Sequence, residues 1–154
     1  MKSILRRIFF VMVIFLAACA AESPKLSIRG EITLSPGLGS KIEPSDVVFV
    51  MALPVLTESL PAGDSAETKA STDSPKPVAV KKITPVIFPL SYELTRDDVL
   101  FPDQEFKGRF DVVARVDKDG NLKTSTKGDL EGLSKKNPVA AGSKNADILI
   151  DREK

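Results

Sequence analysis

Residues 28–34, "IRGEITL", alternate strictly: Ile28, Gly30, Ile32 and Leu34 fall on one face, Arg29, Glu31 and Thr33 on the other. A period of two predicts a half-buried β-strand. "DVVFVMAL" at 46–53 is β-branched and almost wholly apolar, the pattern of a central strand. "PVAVKKI" at 77–83 and "IFPLSYEL" at 87–94 predict two more strands, and Pro89 confines the second to an edge or a bulge. Residues 95–108 are acidic and irregular. "RFDVVARVDKDGNLKT" at 109–124 predicts a hairpin, with Asp119-Gly120 as its turn and the chain returning after it. "GDLEGL" at 128–133 reads as turn-rich, and "ADILIDRE" at 146–153 as a last alternating strand. Seven or eight short strands, with no long helical period and no internal repeat, predict an all-β fold, a β-sandwich.

The first residues follow a different pattern. Lys2, Arg6 and Arg7 precede an unbroken apolar run of eleven residues, Ile8 to Ala18. A spanning helix needs roughly 20 apolar residues, whereas a secretory signal peptide uses about 7–15. Leu16-Ala17-Ala18-Cys19 resembles the bacterial lipobox. That resemblance implies cleavage before Cys19, a diacylglycerol on its thiol and an acylated new amino group. A plain signal peptide and an uncleaved anchor are the alternatives. The expected layout is a signal peptide at 1–18, a lipidated tether at 19–27 and one domain at 28–154. Within that domain residues 56–76, rich in Ser, Thr, Ala, Glu and Pro, are expected to form a mobile loop, a helix over "GDSAETKAS" being the alternative. The chain would then face the periplasm of a bacterial envelope on a lipid anchor. Alanine rather than aspartate at position 20 favours the outer membrane over the inner.

Composition narrows the chemistry. The chain has 22 basic and 21 acidic side chains. Without Lys2, Arg6 and Arg7, the 136 residues from Cys19 onward carry 19 basic against 21 acidic groups, a net charge of −2. No basic excess exists to attract nucleic acid. There is no histidine, so Ser-His-Asp and Cys-His nucleophile pairs are excluded. Cys19 is the only cysteine and is assigned to lipid, which removes disulfide and thiol redox chemistry within one chain. Carboxylate catalysis stays open in principle, but a non-enzyme is the favoured class, with no catalytic residue, cofactor or metal expected.

Two motifs carry closely spaced carboxylates. "DKDGN" at 117–121 suggests a calcium loop, yet counting from Asp117 places Gly120 at position 4 and Gly128 at position 12, where an EF-hand needs Gly at 6 and Glu at 12. A hairpin turn is the better reading. "GDLEG", Gly128, Asp129, Leu130, Glu131 and Gly132, has two readings. In a strand, Asp129 and Glu131 would share a face and could take a cation or a basic peptide. Alternatively the glycines supply unusual backbone angles and Asp129 bonds nearby amides. On the second reading valine at Gly128 or Gly132 should destabilise more than Asp129→Asn or Glu131→Gln. Lys81-Lys82 and Lys135-Lys136 read as solvated pairs. Phe88, Tyr92, Phe101, Phe106 and Phe110 are five of the six aromatics after residue 18; core packing is their default, an exposed groove for peptides the alternative.

Together these residues resemble the C-terminal periplasmic domain of the cytochrome c-type biogenesis protein H family, here as a stand-alone bacterial lipoprotein. The signature runs through Ile28, Gly30, Ile32, Leu34, Pro36 and Leu38, "VFV" at 48–50 with Ala52, "VAV" at 78–80, and "PLSYEL" at 89–94. It continues through Asp97, Pro102, "VVARVDKDGN" at 112–121, "GDLEG" at 128–132, Gly142 and "ILID" at 148–151. The resemblance implies an immunoglobulin-like β-sandwich. In that family the domain follows membrane helices and a tetratricopeptide region, and the whole protein resembles a chaperone that delivers apocytochrome c for haem ligation. The 154 residues here contain neither the helices nor the repeats, so the resemblance transfers fold better than function. The expected role is a non-catalytic binding or scaffolding module, held to the membrane through Cys19, with an apocytochrome or a cytochrome assembly protein as its partner. A structural or adhesive envelope lipoprotein unrelated to cytochromes is the rival.

Overall fold

The computed structural model describes residues 26–55 and 75–154. The lipobox, Cys19 and most of the 56–76 segment lie outside them. Eight strands account for the described fold: β1 (Ser27–Leu34), β2 (Val47–Pro54), β3 (Ala79–Ile83), β4 (Leu90–Thr95), β5 (Arg109–Asp117), β6 (Leu130–Ser134), β7 (Val139–Ala140) and β8 (Ile148–Glu153). Among the described residues the helical content is two single 3₁₀ turns, Gly39–Lys41 and Arg96–Asp98. The second is closed by a capping box in which Asp98 accepts the Thr95 amide at 2.8 Å.

The strands hydrogen-bond in the order β3-β2-β5-β6-β8-β1-β4, with β7 pairing the start of β5. Neighbours are antiparallel except β1 and β8. The sheet turns back on itself, because its two end strands, β3 and β4, come into contact. Its two halves, β3-β2-β5-β6 and β8-β1-β4, enclose one apolar core, the all-β sandwich that the alternation predicts. Ile28 and Ile32, Val48 and Val50, Val112 and Val116, Leu130, Ile148 and Ile150 are fully or almost fully buried there. Each aliphatic side chain of this size contributes about 1.5–3 kcal/mol when removed from water.

The halves meet where β6 pairs β8. The register slips between Glu131 and Gly132, a β-bulge that bends the strand. Pro89 immediately precedes β4, which is an end strand, as a proline there requires.

Two expectations need correction. The chain does not return as a strand after Asp119-Gly120; residues 118–129 form a longer connection of turns, and β5 pairs instead with β6. "GDLEGL" is accordingly not only turn: Leu130 to Ser134 is β6, bonded on both sides by β5 and β8. The two-residue β7 was not foreseen.

Candidate functional site

Within the GDLEG motif the two carboxylates part company. Gly128 sits at φ +99°, and its amide donates to the Lys154 carbonyl at 3.0 Å. Asp129 precedes β6 and is completely buried. Its Oδ1 accepts the Lys118 amide at 3.1 Å and the Thr126 hydroxyl at 3.0 Å; its Oδ2 accepts the Thr126 amide at 2.8 Å. Leu130 enters the core, while Glu131 points to the opposite face and pairs with Lys154 and, at 3.7 Å, with Arg152. Gly132 faces inward at the bulge, where a Cβ would stand 2.6 Å from Ile150 Cα and closer still to the Leu149 carbonyl oxygen. The shared face of the cation-site reading is therefore not formed.

DKDGN is likewise turned onto its own backbone. Asp117 and Asp119 both accept the Asn121 amide, at 3.0 and 2.8 Å, and Asp119 also accepts the Thr124 hydroxyl at 2.7 Å. Burial, followed by the neighbouring Asp119 carboxyl, raises the Asp117 carboxyl above the usual range; Arg115, 2.8 Å away, pulls it back. The Thr124 hydroxyl chiefly holds Asp119 below its usual range. Among the described residues no group of three or more potential ligands is placed to hold a metal ion.

The feature best suited to recognition lies on the outer face of β2 and β5. In β2 the core takes Val48, Val50 and Ala52; in β5 it takes Val112, Ala114 and Val116. The alternate positions Met51, Leu53 and Val113 point outward, where an isolated sandwich normally carries polar residues. They floor a groove of about 710 Å³. One wall is Leu100 and Phe101 with the stretch Pro75–Pro77; the other is Leu122–Ser125.

Arg115 fixes that second wall. It donates to the Leu122 carbonyl at 2.9 Å and stands 6.0 Å from the centre of the Phe49 ring. Glu131 and Lys154 close one end, so the motif borders the groove through its one outward side chain. Leu133, paired across from Val113, extends the apolar face and is 40 % exposed; Leu100 and Phe101 are 45 % and 48 % exposed.

Of the aromatic cluster, Phe106 and Phe110 stack in the core with centroids 5.2 Å apart, and Tyr92 is buried. Phe101 alone of the five lines this groove. A second, shallower cleft lies between β3 and β4, lined by charges of both signs such as Arg29 and Glu93, which pair with each other. Met51, Leu53, Val113, Arg115 and Leu122 were not singled out from the sequence. The available signal was the run of apolar residues at both parities in 47–53.

The family described as the cytochrome c-type biogenesis protein H Ig-like domain matches residues 66–151, more than half of the 154. The chain belongs to that family. The match takes in β3 to β8, GDLEG included; the earlier part of the signature, from Ile28 to Ala52, falls before it. An alternative pilotin from the type II secretion system of Vibrio cholerae is similar in structure, with a TM-score of 0.43 and 16 % identity, over 82 % of this chain and 96 % of that one. A likeness at that level carries no argument. Comparison with curated proteins found no match. Among the described residues, no helix is long and apolar enough to cross a membrane.

Proposed function

We propose that this protein is a membrane-anchored envelope lipoprotein that acts as a non-catalytic protein-binding module. The observation that carries the reading is the recessed apolar groove on the outer face of β2 and β5. Exposed apolar surface of this kind marks sites of interaction. Among the described residues the groove's one carboxylate, Glu131, is engaged by Lys154 and Arg152, so the site offers contact area and charge rather than a free acid or base.

In this reading residues 1–18 are removed as a signal peptide, Cys19 carries the lipid and 19–27 tether the sandwich beginning at residue 28. Leu16, Ala17, Ala18 and Cys19 supply the processing site. The domain faces the periplasm, with the outer membrane favoured. Membership in a cytochrome c-type biogenesis family supports a partner from that assembly, an apocytochrome or one of the proteins that handle it.

Co-purification from detergent-solubilised membranes tests the binding role. The unaltered protein should retain a defined partner, and Met51→Lys with Leu53→Lys should lose it while keeping the urea midpoint. Equal retention by both proteins would remove the groove from the account.

A further inference from the structure

The groove's chemistry narrows its occupant. Its floor and first wall are apolar apart from Lys76, whereas its charged lining among the described residues is mostly positive: Lys76, Arg115, Lys123 and Lys154 against Glu131. Glu131 already pairs with Lys154 and Arg152, and Arg115 with the buried Asp117. Among the described residues, Lys76 and Lys123 have no carboxylate partner. Among the described residues, their amines therefore flank the apolar trough with no carboxylate paired to them.

We infer that the groove takes an acidic, apolar polypeptide segment, with its apolar side chains on Met51, Leu53 and Val113 and its carboxylates against Lys76 and Lys123. This rests on the docking reading above and names the class of partner. A second copy of the chain fits poorly, because a two-fold contact would oppose two positive rims. A bilayer surface fits poorly too, because the floor is recessed between the Leu100–Phe101 wall and the Leu122–Ser125 wall, and a flat surface would meet the walls first. Opposite charge at the rim also speeds encounter and makes it salt-dependent.

The test uses the full chain in detergent and three fluorescent twelve-residue probes read by anisotropy: alternating Leu and Glu, alternating Leu and Lys, and alternating Ser and Glu. The Leu/Glu probe should bind at least ten-fold more tightly than either other. Lys123→Glu, at an exposed position, should weaken it about ten-fold with no change in urea midpoint, and raised salt should weaken it similarly. Equal binding of the Leu/Lys or Ser/Glu probe, indifference to Lys123→Glu, or displacement of the bound probe by phosphatidylglycerol micelles would each overturn the inference. If no acidic probe binds while co-purification still depends on Met51 and Leu53, this inference alone fails. If co-purification is independent of the groove, the docking reading fails with it.

Discussion

The carboxylate of Asp129 accepts the backbone amide of Lys118, eleven residues earlier, and so closes the connection between β5 and β6. With the Thr126 amide and hydroxyl as further donors, a buried side chain performs the work that a tight turn does in a shorter hairpin. Asp129→Ala removes charge-assisted bonds and strands two amides, each worth about 1.5–3 kcal/mol where a charged group is involved. The expected loss is about 3 kcal/mol in urea unfolding, with Asp129→Asn intermediate. Both should exceed Glu131→Gln, which changes a partly exposed surface pair worth about 1 kcal/mol or less. The expectation that treated Asp129 and Glu131 alike as inexpensive substitutions is thus revised for Asp129; a loss below about 1 kcal/mol for Asp129→Ala would contradict the buried-anchor account.

The two motif glycines should respond differently to alanine. At Gly132 the obstacle is the backbone of β8, which cannot swing aside as a side chain can. Overpacking costs about 1–3 kcal/mol and occasionally more, and Gly132→Ala should lie at the upper end. At Gly128 the space is open and only the positive φ opposes a side chain, a strain of order 1–3 kcal/mol. Thermal melts that rank Gly128→Ala as the more damaging would show that the β6–β8 approach is looser than described.

These contrasts show what the sequence could and could not convey. β1 and β8 were legible because their alternation reflects one buried and one solvated face. β6 was not: its five residues contain a glycine and a glutamate, and what makes them a strand is pairing with β5 and β8. The groove was hidden for a related reason. Met51, Leu53 and Val113 look like core residues in a local window; among the described residues no layer packs over that face, so Met51 and Leu53 stay part-exposed beside the buried Val113. Phe101 has the composition of a core aromatic and becomes a wall because it follows the turn at 96–98.

Alkaline pH should act through Tyr92. Its hydroxyl donates to the Ala146 carbonyl at 2.5 Å, and burial, with a smaller contribution from Asp147, raises its pKa well above the usual tyrosine range. The unfolded phenol ionises near pH 10 while the folded one keeps its proton. The native state therefore binds more protons above about pH 10, and stability falls as pH rises through that window. Tyr92→Phe should cost about 1 kcal/mol at pH 8 through the lost hydrogen bond, yet its urea midpoint should decline less steeply between pH 10 and 12. Parallel slopes would remove Tyr92 from the alkaline response.

The lipid anchor has its own direct check. Cys19→Ser replaces the thiol that the lipobox reading requires with a hydroxyl that cannot form the thioether. Metabolic labelling with a radioactive fatty acid should mark the unaltered protein and not the variant, which should also remain unprocessed. Label persisting on Cys19→Ser would overturn the lipoprotein assignment without touching the account of the domain.

The central claim is that the outer face of β2 and β5 holds a protein partner in the envelope, and photo-crosslinking in living cells tests it most directly. Benzoyl-phenylalanine would replace Phe101, 48 % exposed on the groove wall, or Lys144, exposed at the other cleft. Ultraviolet light should yield a discrete adduct to another protein from position 101 and none from position 144. No adduct at 101, or the same adducts from both positions, would contradict the claim.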